Sequence, residues 1–289
     1  MRSWLVAARP ATLLASVAPV LVGTGTAVGD DAFRPVVFTV TLATAVALNL
    51  AANLANDASD AVRGADSPAR IGPPRAVARG LLTAAQVWRA TAITLVAAVA
   101  GGIYLTFEAG WVVIAIGVTS IAALLTYTGG PRPYGYRGFG ELSVFVFFGP
   151  AAVVGSRFVH DGQAPAAAWI LAVPVGLLAA AILTANNVRD IDSDRTAAKR
   201  TLAVLLGRDH ARRLYAALLI GAFAVIAICG AIGWTPRPTL MALTAVPLGA
   251  GPIRGVLHET AGPPLVAALK ATARLLLIVG VLLAVGAAI

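Results

Sequence analysis

Nine apolar stretches follow one another along the chain, at roughly residues 11–29, 36–56, 90–107, 111–127, 141–159, 166–187, 213–233, 238–257 and 271–288. Each is close to the length a helix needs to cross the hydrocarbon core of a bilayer, about 20 residues at 1.5 Å apiece. A backbone that crosses lipid must satisfy its own N–H and C=O groups, which leaves helices and closed barrels. Runs rich in Ala, Leu, Val and Gly, without the ~10-residue alternation of barrel strands, select helices. With 58% hydrophobic and 12% charged residues, the chain carries about half the charge of a soluble domain. The expected fold is an all-α polytopic membrane protein, a single domain over 1–289 with about nine transmembrane helices in a bundle. Gly and Pro interrupt several runs, most of all the eighth, with Pro247, Gly249, Gly251 and Pro252.

The net charge of +9 would suggest a nucleic-acid partner in a soluble protein, but here topology explains it. Of the 22 Lys and Arg, 19 lie at the N-terminus and in the loops after spans two, four, six and eight, and 3 on the other side. The positive-inside rule then puts the N-terminus in the cytoplasm and the C-terminus outside. The single cysteine, Cys229, allows no intramolecular disulfide. The three histidines, His160, His210 and His258, lack metal-ligand spacing.

Six of the ten aspartates fall in two places, Asn53-Leu-Ala-Asn56-Asp57-Ala-Ser-Asp60 running on to Asp66, and Asn187-Val-Arg-Asp190-Ile-Asp192-Ser-Asp194. Both stand at the cytoplasmic end of an apolar run, where carboxylates are expensive unless something binds them. In a helix, Asp57 and Asp60 share a face with Asn53, and Asp190 and Asp194 share one with Asn187. Four hard oxygen donors on two helix ends suit Mg2+, which keeps its waters and bridges carboxylates to phosphate oxygens. Asp66 and Asp192 point elsewhere in this reading and can be reached only through a loop or at one remove. The clusters are 133 residues apart, each after an Asn-bearing helix end and before a basic loop. That spacing raises a 4+4 internal repeat with a ninth helix appended. The loops 57–89, 128–140 and 188–212 are expected to lie over the site. Their arginines have a simpler reading as topology signals and contacts to anionic lipid.

A Mg2+-diphosphate site beside lipid fits an isoprenoid diphosphate, whose head needs cations and whose tail needs the bilayer. Cationic groups stabilise charge on the departing diphosphate. A bundle wall shields the allylic cation from water.

The two aspartate motifs, the second followed by Lys199-Arg200-Thr201-Leu202-Ala203, resemble the signatures of the UbiA superfamily of intramembrane prenyltransferases. Further strings resemble its menaquinone-pathway branch: Arg9-Pro10-Ala-Thr-Leu, Ala18-Pro19-Val-Leu-Val-Gly23, Gly64-Ala-Asp66, Tyr127-Thr-Gly-Gly-Pro131-Arg132-Pro133 and Asn187-Val-Arg189-Asp190. The likeness runs from about residue 9 to 210. In the superfamily's commonest first motif the third aspartate stands four after the second; here that position is Gly64 and Asp66 follows. The first apolar run, after Arg2 and Arg9, also has the look of a signal peptide, but the resemblance implies that it is retained.

The resemblance implies transfer of a polyprenyl group from its diphosphate to 1,4-dihydroxy-2-naphthoate with loss of carbon dioxide. By position it implies Asp57, Asp60, Asp190 and Asp194 as Mg2+ ligands and catalytic residues together with Asp66. It implies Asn53, Asn56, Arg63, Tyr127, Arg132, Tyr136, Asn187, Lys199 and Arg200 as substrate-binding, with Arg75 and Arg137 as further cations. Tyr127, Tyr134 and Tyr136 stabilise an allylic cation or stack on a ring, or else anchor the interface. Glu141 opens span five, where it favours a helix N-terminus. An acceptor such as 4-hydroxybenzoate is the nearest alternative. A CDP-alcohol phosphotransferase needs both aspartate pairs on one contiguous motif, unlike this chain. A transporter would place its ionisable residues near the midplane on broken helices.

Overall fold

The computed structural model describes residues 2–64, 75–259 and 262–289. Asp66 and Arg70 lie outside the described residues. Within them the chain is helical, with no strand. A short α1 (Arg2–Ala8) leads into α2 (Pro10–Gly29), α3 (Pro35–Val62), α4 (Ala84–Ala109) and α5 (Val112–Thr128). A 3-10 turn at Tyr134–Arg137 precedes α6 (Gly140–Val146), a π-helical segment Phe147–Val154 and α7 (Gly155–Asp161), which together make one span. Then come α8 (Ala166–Thr196), the short α9 (Leu202–Leu206), α10 (Arg208–Ala231), a 3-10 segment Arg237–Ala245 continuing into α11 (Val246–His258), and α12 (Pro263–Ala288). Among the described residues eight helical spans are long and apolar enough to cross a membrane, and α5, with 17 residues, is a shorter apolar helix. All nine expected runs are therefore helical.

Local chemistry accounts for the boundaries. Prolines open α2, α3 and α12, where the missing N–H is one that no helix satisfies. Thr83 and Gln86 form a reciprocal capping box ahead of α4. Pro150 sits inside the fifth span and the helix relaxes there into π geometry, which absorbs the absent donor. The broken eighth run divides into its 3-10 and α-helical parts.

The helices pack through small residues, as lipid-embedded helices do. A Cβ on Gly25 would lie 2.3 Å from the Ala284 carbonyl oxygen, and one on Gly280 would lie 2.7 Å from Ala18. α2 and α12 are thus sealed against each other at backbone distance. The main core gathers around α8, where Leu171, Val175, Leu178 and Ile191 meet Leu219 of α10 and Leu276 and Leu283 of α12.

Two polar ends follow from this arrangement. At one, Arg157 is 2% exposed and clamped between Asp30, 2.8 Å from its Nη2, and Asp161, 2.5 Å from its Nη1. Nearby, Arg34 donates its backbone N–H to His160 Nδ1 at 3.2 Å and pairs through its guanidinium with Glu108. At the opposite end α3 and α8, of 28 and 31 residues, run past their apolar stretches. The helix therefore continues through Asp57, Asp60, Asp190 and Asp194.

Candidate active site

α3 and α8 bring their ends to one mouth, and Lys199 joins them. Its ammonium lies 3.0 Å from Asp60 Oδ2, while its backbone N–H donates to the Asp194 carbonyl at 2.8 Å. The chain turns sharply just before it, with Ala198 at φ 56, a left-handed conformation that a residue with a side chain rarely adopts. Asp60, 1% exposed, also accepts from the Tyr136 hydroxyl at 2.7 Å and from Arg75 Nη2 at 3.3 Å. The Lys199 ammonium stands 4.7 Å from the centre of the Tyr136 ring, within cation–π range. On α8, Arg189 grips Asp190 with two parallel bonds, Nε to Oδ1 at 2.7 Å and Nη2 to Oδ2 at 2.6 Å, the strongest form of that pairing.

Below the mouth a cavity of about 520 Å³ runs down between the helices. Asn53, Asn56, Asp60, Tyr127, Tyr136, Asn187, Asp190, Asp194 and Lys199, all singled out from the sequence, line it. Farther in, the walls become apolar, with Ile116, Ile121 and Leu124 of α5 facing Phe147, Phe148 and Ala151 of the π-helical span. Val99, Ile103, Ile114 and Val118 line the cavity and are also exposed on the outer surface, so the α4–α5 flank opens toward lipid.

Other expected residues stand elsewhere. Asp57 is fully buried but does not line the cavity; its Oδ2 accepts from the Ala76 N–H at 3.0 Å, and among the described residues its Oδ1 has no hydrogen bond. The i, i+3 argument put Asp57 and Asp60 on a common face, yet the cavity face of α3 is set by Asn49, Asn53, Asn56 and Asp60, and Asp57 turns to the loop instead. Ala76 and Leu82 of that loop pack with Ala7, Leu54, Ala58 and Val87. Arg63 bonds the Gly130 carbonyl at the rim. Arg132, Arg137 and Arg200 are exposed and outside the lining. Asp192 is exposed and pairs with Arg208 at 2.6 Å. Tyr134 donates to the Ala123 carbonyl at 3.0 Å and meets Ser143 Oγ at 2.8 Å; burial raises its pKa above the usual phenol value.

Arg9, Asn49 and Asn186 belong to this region although the sequence does not mark them as site residues. Arg9 lines the cavity from a left-handed turn at φ 50. Asn49 lies one turn before Asn53 on α3, a spacing visible in the sequence. Asn186 accepts from Arg189 Nη2 at 2.8 Å. Glu141, expected as a helix-terminal charge, is buried and accepts from Asn187 Nδ2 at 2.9 Å.

The donor set fits a divalent cation in kind, since Asp60, Asp190, Asp194 and the Asn187 carbonyl oxygen are hard ligands around one mouth. Among the described residues no three His, Cys, Asp or Glu side chains converge on one point. Mg2+ does not need such convergence, because it keeps several waters and reaches its carboxylates partly through substrate phosphates.

Residues 16–263 match the UbiA prenyltransferase family. The chain is 40% identical over 266 residues to the 1,4-dihydroxy-2-naphthoate octaprenyltransferase of Escherichia coli strain K12, covering 89% of this chain and 86% of that enzyme. It is 42% identical over 256 residues to the enzyme of the same name from Mycobacterium tuberculosis strain H37Rv, covering 87% and 86%. Its fold is similar to that of a UbiA homologue from Archaeoglobus fulgidus solved with DMAPP and Mg2+, with a TM-score of 0.67 and 14% identity over 96% of this chain and 97% of that one.

Proposed function

The chain belongs to the UbiA prenyltransferase family, and from that premise we propose that it moves a polyprenyl group from its diphosphate onto 1,4-dihydroxy-2-naphthoate, with loss of carbon dioxide, to give a demethylmenaquinol, the reduced form of demethylmenaquinone. The observation that carries this reading is the union of a charged mouth, with Asp60, Asp190, Asp194 and Lys199, and an apolar cavity open to lipid. One end suits a diphosphate and the other its isoprenoid tail. The acceptor is carried by the names of relatives 40% identical over most of the chain. The Lys and Arg asymmetry supports a mouth on the cytoplasmic side.

Asp60, Asp190 and Asp194, with Asn187, are the residues that would hold Mg2+, and bound Mg2+ would neutralise charge gathering on the departing diphosphate. Lys199 stands where it adds a second positive charge to that oxygen cluster. Breaking the allylic C–O bond leaves its electron pair on the diphosphate. The ring carbon bearing the carboxylate supplies the pair for the new C–C bond. Cleavage of the ring–carboxylate bond then returns a pair to the ring as carbon dioxide departs, so aromaticity is restored. Tyr127 and Tyr136 line the cavity, where an aromatic ring would stabilise an allylic cation, and the apolar walls keep water away from it.

The deciding assay uses purified protein, geranylgeranyl diphosphate, Mg2+ and a panel of aromatic acceptors, read by mass. The naphthoate should give a product lighter by carbon dioxide than the simple adduct, EDTA should abolish it, and Mg2+ should restore it. Efficient prenylation of 4-hydroxybenzoate with its carboxylate retained, and none of the naphthoate, would move the protein to another acceptor.

A further inference from the structure

Five asparagines line the cavity, and for Asn49, Asn53, Asn186 and Asn187 the hydrogen-bond partner fixes which end of the amide faces inward. Asn53 gives its Nδ2 to the Ala8 carbonyl at 3.1 Å and to Thr12 Oγ1 at 3.0 Å, and Asn49 gives its Nδ2 to the Thr12 carbonyl at 3.0 Å. A backbone carbonyl only accepts, so these amides cannot be reversed. Among the described residues neither Oδ1 has a protein partner, and both side chains border the cavity. Asn186 is the opposite case: Arg189 only donates, so Asn186 Oδ1 is taken at 2.8 Å and its NH2 is left for the cavity. Asn56 meets Thr128 Oγ1 at 2.8 Å, and a hydroxyl, which both donates and accepts, does not fix that amide's orientation.

At the mouth Asn186, beside Asp190, presents its NH2 where a diphosphate would present oxygens, while Asn187 keeps its carbonyl oxygen for the cation donors, its Nδ2 being held by Glu141. The inward acceptors on α3 lie deeper. Asn53 and Asn49 precede Asp60 by seven and eleven residues, roughly 10 and 16 Å along the helix. Two carbonyl oxygens that deep in a membrane protein are costly to leave unmatched. They match a hydroxyl and nothing anionic.

We propose that Asn49 and Asn53 read the hydroxyl groups of the aromatic acceptor, and that the carbonyls of Ala8 and Thr12 hold them in the accepting orientation. This rests on the reading that the acceptor is a dihydroxynaphthoate. It places the acceptor ring against the α2–α3 wall, with the isoprenoid along the facing wall of α5 and the π-helical span. The bend at Arg9, with φ 50, brings the last carbonyl of α1 to Asn53.

The experiment compares kcat/KM for 1,4-dihydroxy-2-naphthoate with kcat/KM for its two monohydroxy analogues, in wild type, Asn49→Ala and Asn53→Ala. That ratio does not depend on the folded fraction, so a partly destabilised variant still reports. Each variant should raise the acceptor KM about five- to tenfold, the loss expected for one hydrogen bond. It should shrink discrimination against at least one analogue by a similar factor and leave the diphosphate KM within about twofold. Asn186→Ala should do the reverse, raising the diphosphate KM. Unchanged discrimination in both α3 variants, or a rise in the diphosphate KM alone, would overturn the assignment. A wild-type protein inactive on every naphthoate but active on another acceptor would overturn the acceptor reading itself.

Discussion

The Lys199 ammonium lies 3.0 Å from Asp60 Oδ2, and both groups are buried. This contact ties the chain after α8 to the end of α3. Lys199→Met leaves Asp60 with Arg75 and Tyr136 as partners, so the fold should survive. Breaking a buried pair costs about 3–5 kcal/mol, and the remaining partners reduce it. The expected result is a diphosphate KM raised at least tenfold with a lower kcat, read by steady-state kinetics. An unchanged diphosphate KM would remove Lys199 from the head-group site.

Asp57 and Asp60 should part company under mutation. Asp60→Ala removes a cavity carboxylate and should lower turnover by several orders of magnitude. Asp57→Ala removes the acceptor of the Ala76 N–H and leaves that donor buried, a loss of about 1–3 kcal/mol. Its signature should be faster proteolysis around residues 75–82 and a smaller loss of activity. Equal and complete loss of turnover in two equally stable variants would return Asp57 to the metal site.

At the far end, the carboxylates of Asp30 and Asp161 hold a buried Arg157. Removing both by Asp30→Ala and Asp161→Ala strands a buried cation, at a cost on the order of 3–5 kcal/mol, and should lower the melting temperature clearly. Arg157→Met on that background should recover much of it, since a buried ion set replaced by apolar groups is often neutral. The kcat of the folded protein should not change in either variant, because the clamp is at the other end of the bundle from Asp60.

Cysteines introduced at Thr196 and Gln163 in a Cys229→Ser background test sidedness. Both positions are exposed and lie at opposite ends of α8. In sealed right-side-out vesicles an impermeant reagent should reach position 163 and not position 196. Labelling of 196 alone would invert the orientation.

The nine apolar runs were legible because hydropathy reports the part of a helix that lipid covers. It does not report where the helix stops. The run expected at 36–56 belongs to a helix reaching Val62, and the run at 166–187 to one reaching Thr196. The carboxylates of Asp60, Asp190 and Asp194 were equally legible, since charge at the end of a span has few uses. Helical spacing shows which residues share a face, but not which face meets the cavity, and Asp57 stands outside the lining for that reason. Arg9 and Arg189 were hidden among cations that topology already explained. Glu141 was read as a helix-terminal charge because its partner, Asn187, is distant in sequence.

The cavity has two exits of opposite character, a charged mouth and a flank where Val99, Ile103, Ile114 and Val118 meet lipid. In the proposed reaction the products separate by phase. Diphosphate dissolves in water and the prenylated ring partitions into the bilayer. Neither then meets the other at appreciable concentration, so the reverse reaction is starved without any moving gate. Turnover in a membrane should accordingly be limited by how fast lipid carries the quinol from that flank, a property of the solvent as much as of the protein.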